Sequence, residues 1–389
     1  MIIRTLVLAV GALLAGAAPA AALQDCPDLP AKKTILSGQG QLESLIADAR
    51  GRIFYSDLMN GGRLLRIDAP GAEPKVLIQG INGSGGLAWD ADGSLIMGFN
   101  GGTQNALADG TEGGLMRVNP ETGQSTVLTR GMGQANGLVR GPDGAVYASN
   151  DFGHGIDRFA GGKLEDDWSK VQTPNGLVID TTARYLYAAQ TFKPASVARI
   201  DLADPSKEEP YFEAGPADQA GGPDGMTRDD RDRLFVAVNA AGEVWRIDTD
   251  RTACRVASGI TNASAVNWGG GAPGFPQRNL YVVAFSGVLV ELANATDRPP
   301  PAGPPAQALR LTVSPKRQRA KTLSVWGLTV TAGGAPVPGA TVRLGGRRAT
   351  TNASGVAKIA VRFFHTGLRK ASASHPGYRS ARKTIRLLR

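Results

Sequence analysis

Six segments of the chain align on one another, and that repetition limits the possible fold more than any other feature of its 389 residues. The first three run Glu43-Ser-Leu-Ile-Ala-Asp-Ala-Arg-Gly-Arg-Ile-Phe-Tyr, Gly85-Gly-Leu-Ala-Trp-Asp-Ala-Asp-Gly-Ser-Leu-Ile-Met and Asn136-Gly-Leu-Val-Arg-Gly-Pro-Asp-Gly-Ala-Val-Tyr-Ala. More divergent copies begin at Asn175, Asp224 and Ser264. Their apolar anchors Leu45, Leu87, Leu138, Leu177, Met226 and Val266 lie 42, 51, 39, 49 and 40 residues apart. A second motif recurs in phase behind the first, as in Leu65-Arg-Ile-Asp68, Ala198-Arg-Ile-Asp201 and Trp245-Arg-Ile-Asp248. Each unit reads as four short strands joined by turn residues, and no segment sustains a helical period. Six such units predict a six-bladed β-propeller, whose radial closure removes most exposed strand edges. The sixth copy supplies only three strands before Asp297, so the missing outer strand is expected from Lys33 to Ser37.

The ends of the chain differ from its middle. Residues 1–22 carry Arg4, an apolar stretch from Leu6 to Leu14 and the small residues Ala18-Pro-Ala-Ala-Ala22, the order of a signal peptide. The apolar core is too short to span a bilayer, so the mature chain is expected to be secreted, extracellular or cell-envelope associated, with no transmembrane segment. In an oxidising compartment the two cysteines, Cys26 and Cys254, are expected to form a disulfide. That bridge would tie the N-terminus to the outer strand of the fifth blade, next to the closing strand.

After a propeller over 31–297, the Pro-rich segment 298–307 reads as a semi-rigid linker. Residues 308–389 hold 17 Lys and Arg and no Asp or Glu. The first 307 residues therefore keep 26 of the 43 basic and all 34 acidic residues, so the basic excess of the chain belongs to its tail. Alternating stretches such as Ala340-Thr-Val-Arg-Leu344 and Ala357-Lys-Ile-Ala-Val-Arg-Phe363 predict a small β-sandwich. With Val337-Pro-Gly-Ala and Thr351-Asn-Ala-Ser-Gly it resembles bacterial immunoglobulin-like and carboxypeptidase-regulatory-like modules. Secretion argues against nucleic acid as its partner; an anionic cell-surface or wall polymer is the candidate partner, with a merely soluble appendage as the alternative.

A repeat fold places equivalent positions in a ring, and two residues before each anchor stand Glu43, Gly85, Asn136, Asn175, Asp224 and Ser264. Singly, Asn-Gly and Asp-Gly are turn formers. Together, two carboxylates and two amides at one phase suit a hard divalent cation, Ca²⁺ before others. Zinc would ask for His or Cys, and the propeller has a single histidine, His154. That residue, in Asn150-Asp-Phe-Gly-His154, is a secondary candidate for the same mouth, with ordinary surface as the alternative. No Ser-His-Asp set and no P-loop Lys-Ser/Thr accompanies the hydroxyls and the Gly-rich loops.

Over residues 40–293 the chain resembles the senescence marker protein, gluconolactonase and luciferin-regenerating enzyme family, the regucalcin-like propellers. The resemblance is carried by Glu43-Ser with Phe54-Tyr-Ser-Asp57, Thr173-Pro-Asn-Gly-Leu177 with Tyr185-Leu-Tyr187, Gly222-Pro-Asp-Gly-Met226, and Gly269-Gly-Gly with Asn279-Leu-Tyr281. It implies that Glu43, Asn175 and Asp224 hold one divalent ion and that Asn136 contacts substrate or metal. At the third blade the sequence reads Gln134-Ala-Asn136-Gly137, lacking the Arg two positions before Asn of the sugar-lactonase branch, so gluconolactone is not the expected substrate. The expected activity is metal-dependent hydrolysis of a small-molecule lactone or related ester, with Asp224 as base and Glu43 as the second candidate. The alternative is a non-catalytic propeller that keeps calcium as a structural pin and binds carbohydrate or protein.

Overall fold

The computed structural model describes residues 22–271, 273–297, 308–375 and 378–389. The expected signal peptide, apart from Ala22, and the expected linker over 298–307 lie outside the described residues. Among those residues the chain is almost entirely β: 33 strands and one short helix, Thr103–Leu107.

Six four-stranded sheets account for the chain up to Ala293. In the first, Leu42–Ala47 pairs with Ile53–Asp57, then Arg63–Ile67, then Lys75–Gln79. Burial falls off along that order: Ile53–Asp57 is buried throughout, whereas Lys75–Gln79 is half exposed. The apolar second strand and the polar fourth are therefore read off the sequence as distance from the axis. The innermost strands Leu42–Ala47, Ser84–Trp89, Leu138–Arg140, Pro174–Ile179, Pro223–Arg228 and Ala263–Trp268 contact one another in that order, and the last returns to the first. The result is a propeller-like ring.

Ring closure follows the expected route. The sixth sheet takes Ala263–Trp268, Leu280–Ala284 and Leu289–Ala293 from the end of the repeat region and Ala31–Leu36 from the N-terminus. Upstream, the backbone at Cys26 pairs with Arg255 beside Ala253–Ala257, and Cys26 and Cys254 form the disulfide. Side chains at the ends of inner strands tie neighbouring sheets: Trp89 Nε1 donates to Ala47 O at 2.8 Å and Trp268 Nε1 to Arg228 O at 2.7 Å.

The glycines that follow the ring positions have a packing role and not a turn role. Gly137 and Gly176 sit where the next inner strand passes so close that a Cβ would overlap Asn175 O in the first case and Asp224 O with Met226 N in the second. Asn-Gly and Asp-Gly here mark close approach between sheets.

The tail forms two further sheets. One holds Arg310–Ser314, Leu323–Ala332, Ala335–Pro336 and Val356–Arg362; the other holds Arg317–Arg319, Ala381–Leu388, Gly367–Ser374, Thr341–Leu344 and Arg347–Thr350. Their inner faces share one core around Trp326, Leu328, Val342, Ala371 and Ile385. Two loops of this unit touch the propeller: Gly333 O accepts from Asn119 Nδ2 at 3.1 Å, and the Tyr378 hydroxyl donates to Glu121 at 3.3 Å beneath the Arg50 guanidinium.

Candidate functional site

At the mouth where the inner strands begin, a cavity of about 870 Å³ is lined by Glu43, Asn136, Asn175 and Asp224. The four oxygen-bearing side chains expected at this phase are thus together. The remaining two ring positions contribute nothing polar to it, since Gly85 has no side chain and the Ser264 hydroxyl is bonded to Leu42 O at 2.5 Å and to Val283 O at 3.1 Å. Of His154 only the backbone, in strand His154–Ala160, is described. Toward the opposite mouth a second cavity, of about 560 Å³, lies between the anchors Leu45, Leu87, Leu138, Leu177, Met226 and Val266.

Among the further polar residues that line the mouth are Asp151 and Asn239. Both follow the second strand of their sheet, after Val146–Ser149 and Leu234–Val238. Leu58, Asn100, Thr191 and Phe285 line the cavity from equivalent loops. This second phase of the repeat was the signal available in the sequence for Asp151 and Asn239. It does not mark function by itself, because the nearby Asp57 is occupied with the backbone of Gln41 and Met59 and with Arg63.

Carboxylates and amides alternate along the cavity wall. The Asn136 amide faces Glu43 and Asp151 and favours the charged form of each. Asn175 Nδ2 donates to Asp151 Oδ2 at 3.4 Å, and the same amide favours the charged form of Asp224. Asn239 Nδ2 donates to Asp224 Oδ2 at 3.0 Å. An amide whose N–H groups face carboxylates still has its carbonyl oxygen to offer. Glu43 Oε2 and Asp151 Oδ1 are buried with no hydrogen-bond partner.

These surroundings oppose negative charge. Burial first, then the charges of Asp224 and Asp151, holds the Glu43 carboxyl well above its ordinary range. Asp224 is raised in the same way, by burial first and by Asp151 second. Asp151 is pushed up to about 6 by burial, against the bonds from Asn136 and Gln134 that favour its charge. Two of the three buried carboxylates, Glu43 and Asp151, keep an unbonded oxygen, and with no basic side chain among the described lining residues the three form a donor set that fits a hard divalent cation.

The rim is apolar. Phe152 and Phe192 stack there with centroids 5.3 Å apart and are about half exposed, and Met59 and Phe285 line the same cavity. Another acidic group, Asp157 with Asp166 and Asp167, lies on the outer strands of the third sheet, its ligand atoms within 4.8 Å of one another. Glu43, Asp151 and Asp224 do not form such a group, their ligand atoms not all lying within that distance of one another.

The sequence model of the SMP-30/Gluconolactonase/LRE-like region matches residues 155–285, a span that contains Asn175 and Asp224. No curated protein matches the chain. Among solved structures, a gluconolactonase from Xanthomonas campestris is 18% identical, with 70% of this chain and 96% of that one covered at a TM-score of 0.57. A calcium-binding regucalcin from Agrobacterium tumefaciens is 16% identical, with 73% and 98% covered at 0.57. A luciferin-regenerating enzyme is 14% identical, with 70% and 98% covered at 0.54. At such identities the likeness to these structures shows the fold.

Proposed function

The propeller belongs to the SMP-30/gluconolactonase/LRE-like family, and on that premise we propose that the chain is a secreted, divalent-cation-dependent hydrolase of lactones or related esters. The observation that carries this reading is the convergence of Glu43, Asp151 and Asp224, buried and separated by amides, at the mouth of one open cavity. Glu43, Asn175 and Asp224 are the residues that would hold the cation, calcium being the best match to an all-oxygen set. The chemistry a divalent cation supplies among such donors is polarisation of an ester carbonyl and a lowered pKa for water.

Asp151 has the part of base in this reading. A carboxylate engaged with a cation is a poorer proton acceptor than one beside it, and Asp151 keeps a buried oxygen with no hydrogen-bond partner on the same wall. Water loses a proton to Asp151 as its oxygen bonds to the carbonyl carbon. The ring C–O bond then breaks and the alkoxide takes a proton back, leaving a hydroxy acid. In this reading Asn136 hydrogen-bonds the substrate, one of the two roles, substrate or metal contact, that the family resemblance implies.

The apolar rim favours a neutral lactone with an aliphatic or aromatic substituent resting on Phe152 and Phe192. Acidic substrates would meet three carboxylates without a described basic side chain to receive them. Export is supported by the leader-like sequence of residues 1–22 and agrees with the Cys26–Cys254 disulfide.

The test is pH-stat hydrolysis of aliphatic, aromatic and sugar lactones with Ca²⁺ and again with EDTA. Turnover that chelation abolishes and Ca²⁺ restores is expected. Asp151→Asn should lower kcat by on the order of a hundredfold or more while leaving Ca²⁺-induced stabilisation intact, whereas Asp224→Asn should lose both. A fully folded protein inactive on every lactone would leave the cation as a structural pin.

A further inference from the structure

The tail has an unusual end. Three segments meet there: the turn after Arg317–Arg319, the loop between Val356–Arg362 and Gly367–Ser374, and the end of Ala381–Leu388. Two backbone bonds join them, from Ala320 N to Leu388 O at 2.9 Å and from Lys321 N to Phe363 O at 2.7 Å. Around this junction Leu323, Phe364, Leu368 and Leu388 are 60, 65, 59 and 42% exposed. Exposed Arg319, Lys321, Arg362, Arg386 and Arg389 stand among them, and no acidic residue occurs anywhere in 308–389.

The register explains how both properties reach one end. Leu368 lies opposite Arg386 on the five-stranded sheet, and Arg319 pairs with Leu388. Leu323 lies opposite Arg362 on the other sheet. Apolar and basic side chains are therefore interleaved on both outer faces, with Phe364 in the loop between them. Gly333 and Tyr378, which touch the propeller, lie in loops at the other end of the same strands.

From this juxtaposition we infer that the distal end of the tail docks on an anionic phospholipid surface. Basic groups are drawn to lipid phosphates, while apolar side chains on strand ends and a loop enter the headgroup boundary, and the two contributions add. A soluble polyanion would use the charges alone and leave Leu323, Phe364 and Leu368 without a role. A second copy docked tail to tail would bring like charges together. The inference is independent of the channel, because it concerns where the propeller is held and not what it hydrolyses.

The test is co-sedimentation of the full mature chain with phosphatidylcholine vesicles and with vesicles containing about one third phosphatidylglycerol, alongside binding to soluble heparin. Binding to the anionic vesicles that exceeds binding to the neutral ones by about tenfold and weakens with salt is expected. The triple variant Leu323→Ser, Phe364→Ser, Leu368→Ser should lose about tenfold in vesicle affinity while keeping heparin binding. Arg386→Ser with Arg389→Ser should weaken both, so the inference stays testable if the triple variant folds poorly. No preference for anionic vesicles, or a folded triple variant that binds them undiminished, would overturn it. In the latter case an anionic polymer becomes the partner. Lactone turnover is read separately, and its absence would leave the vesicle result unaffected.

Discussion

Glu43, Asp151 and Asp224 hold their protons in the folded chain at pH values where an unfolded chain has released them, because burial penalises the charged form of each. The native state therefore binds more protons than the unfolded state as pH rises from the ordinary carboxylate range, through about 6 for Asp151. The slope of unfolding free energy with pH that these groups contribute is accordingly negative. Their stabilisation is fully present below the unfolded pKa values and is lost as pH rises through the folded ones. A cation held by Glu43 and Asp224 offsets that loss by neutralising their charges, and it competes with protons for them. The Tm difference between Ca²⁺ and EDTA should thus grow from about pH 4 to about pH 7, measured by thermal melting at constant ionic strength. Asp157, pushed up to about 7 chiefly by its own burial, belongs to the outer acidic cluster, so the comparison is made in an Asp157→Asn background. Glu43→Gln should flatten the Ca²⁺ effect at every pH. A Ca²⁺ effect that shrank as pH rose would contradict a carboxylate site.

The element that sets the spacing of the cavity wall is the inner strand, and its tolerance is testable at Gly176. In Pro174–Ile179 a Cβ at this position would run into the backbone of Asp224 and Met226 on the neighbouring strand. Gly176→Ala should cost about 1–3 kcal/mol, a typical penalty for overpacking, and should weaken Ca²⁺-induced stabilisation because the displaced backbone carries Asp224. Gly215→Ala is the control: nothing lies within 4 Å of a Cβ there, and its effect should stay within about 1 kcal/mol. Denaturant unfolding compares the two. This element was legible in the sequence as a repeat phase, as were the closing strand, found at Ala31–Leu36 where Lys33–Ser37 was expected, and the Cys26–Cys254 pair. The glycine's role was not legible, since the same dipeptide serves a turn or a close contact and only the neighbouring sheet distinguishes them. Asp151 escaped for a related reason. It belongs to a loop phase that Leu58, Asn100, Thr191 and Phe285 occupy in other sheets, so no shared residue type marks that position in the sequence.

For the molecule as a whole, the two ends of the chain have unequal structural weight. The ring is completed by Ala31–Leu36 on Leu289–Ala293 and fastened by Cys26, whereas the tail meets the propeller through Asn119 with Gly333 and Glu121 with Tyr378. Glu121 does not depend on that contact, because Arg50, Arg52 and Arg66 from the first sheet already surround it. Ending the chain after Asp297 should therefore leave a folded propeller with unchanged cation-dependent turnover and no vesicle binding. Removing residues 22–36 is far smaller but exposes the edge of Leu289–Ala293 and strips the fourth strand from the sixth sheet. That truncation should aggregate or melt well below the full chain. Cys26→Ser with Cys254→Ser falls between the two: the closing strand remains paired, and the loss is about 2–5 kcal/mol of stability, read by chemical denaturation under non-reducing conditions. An N-terminal truncation as stable as the C-terminal one would mean that the ring holds without its closing strand.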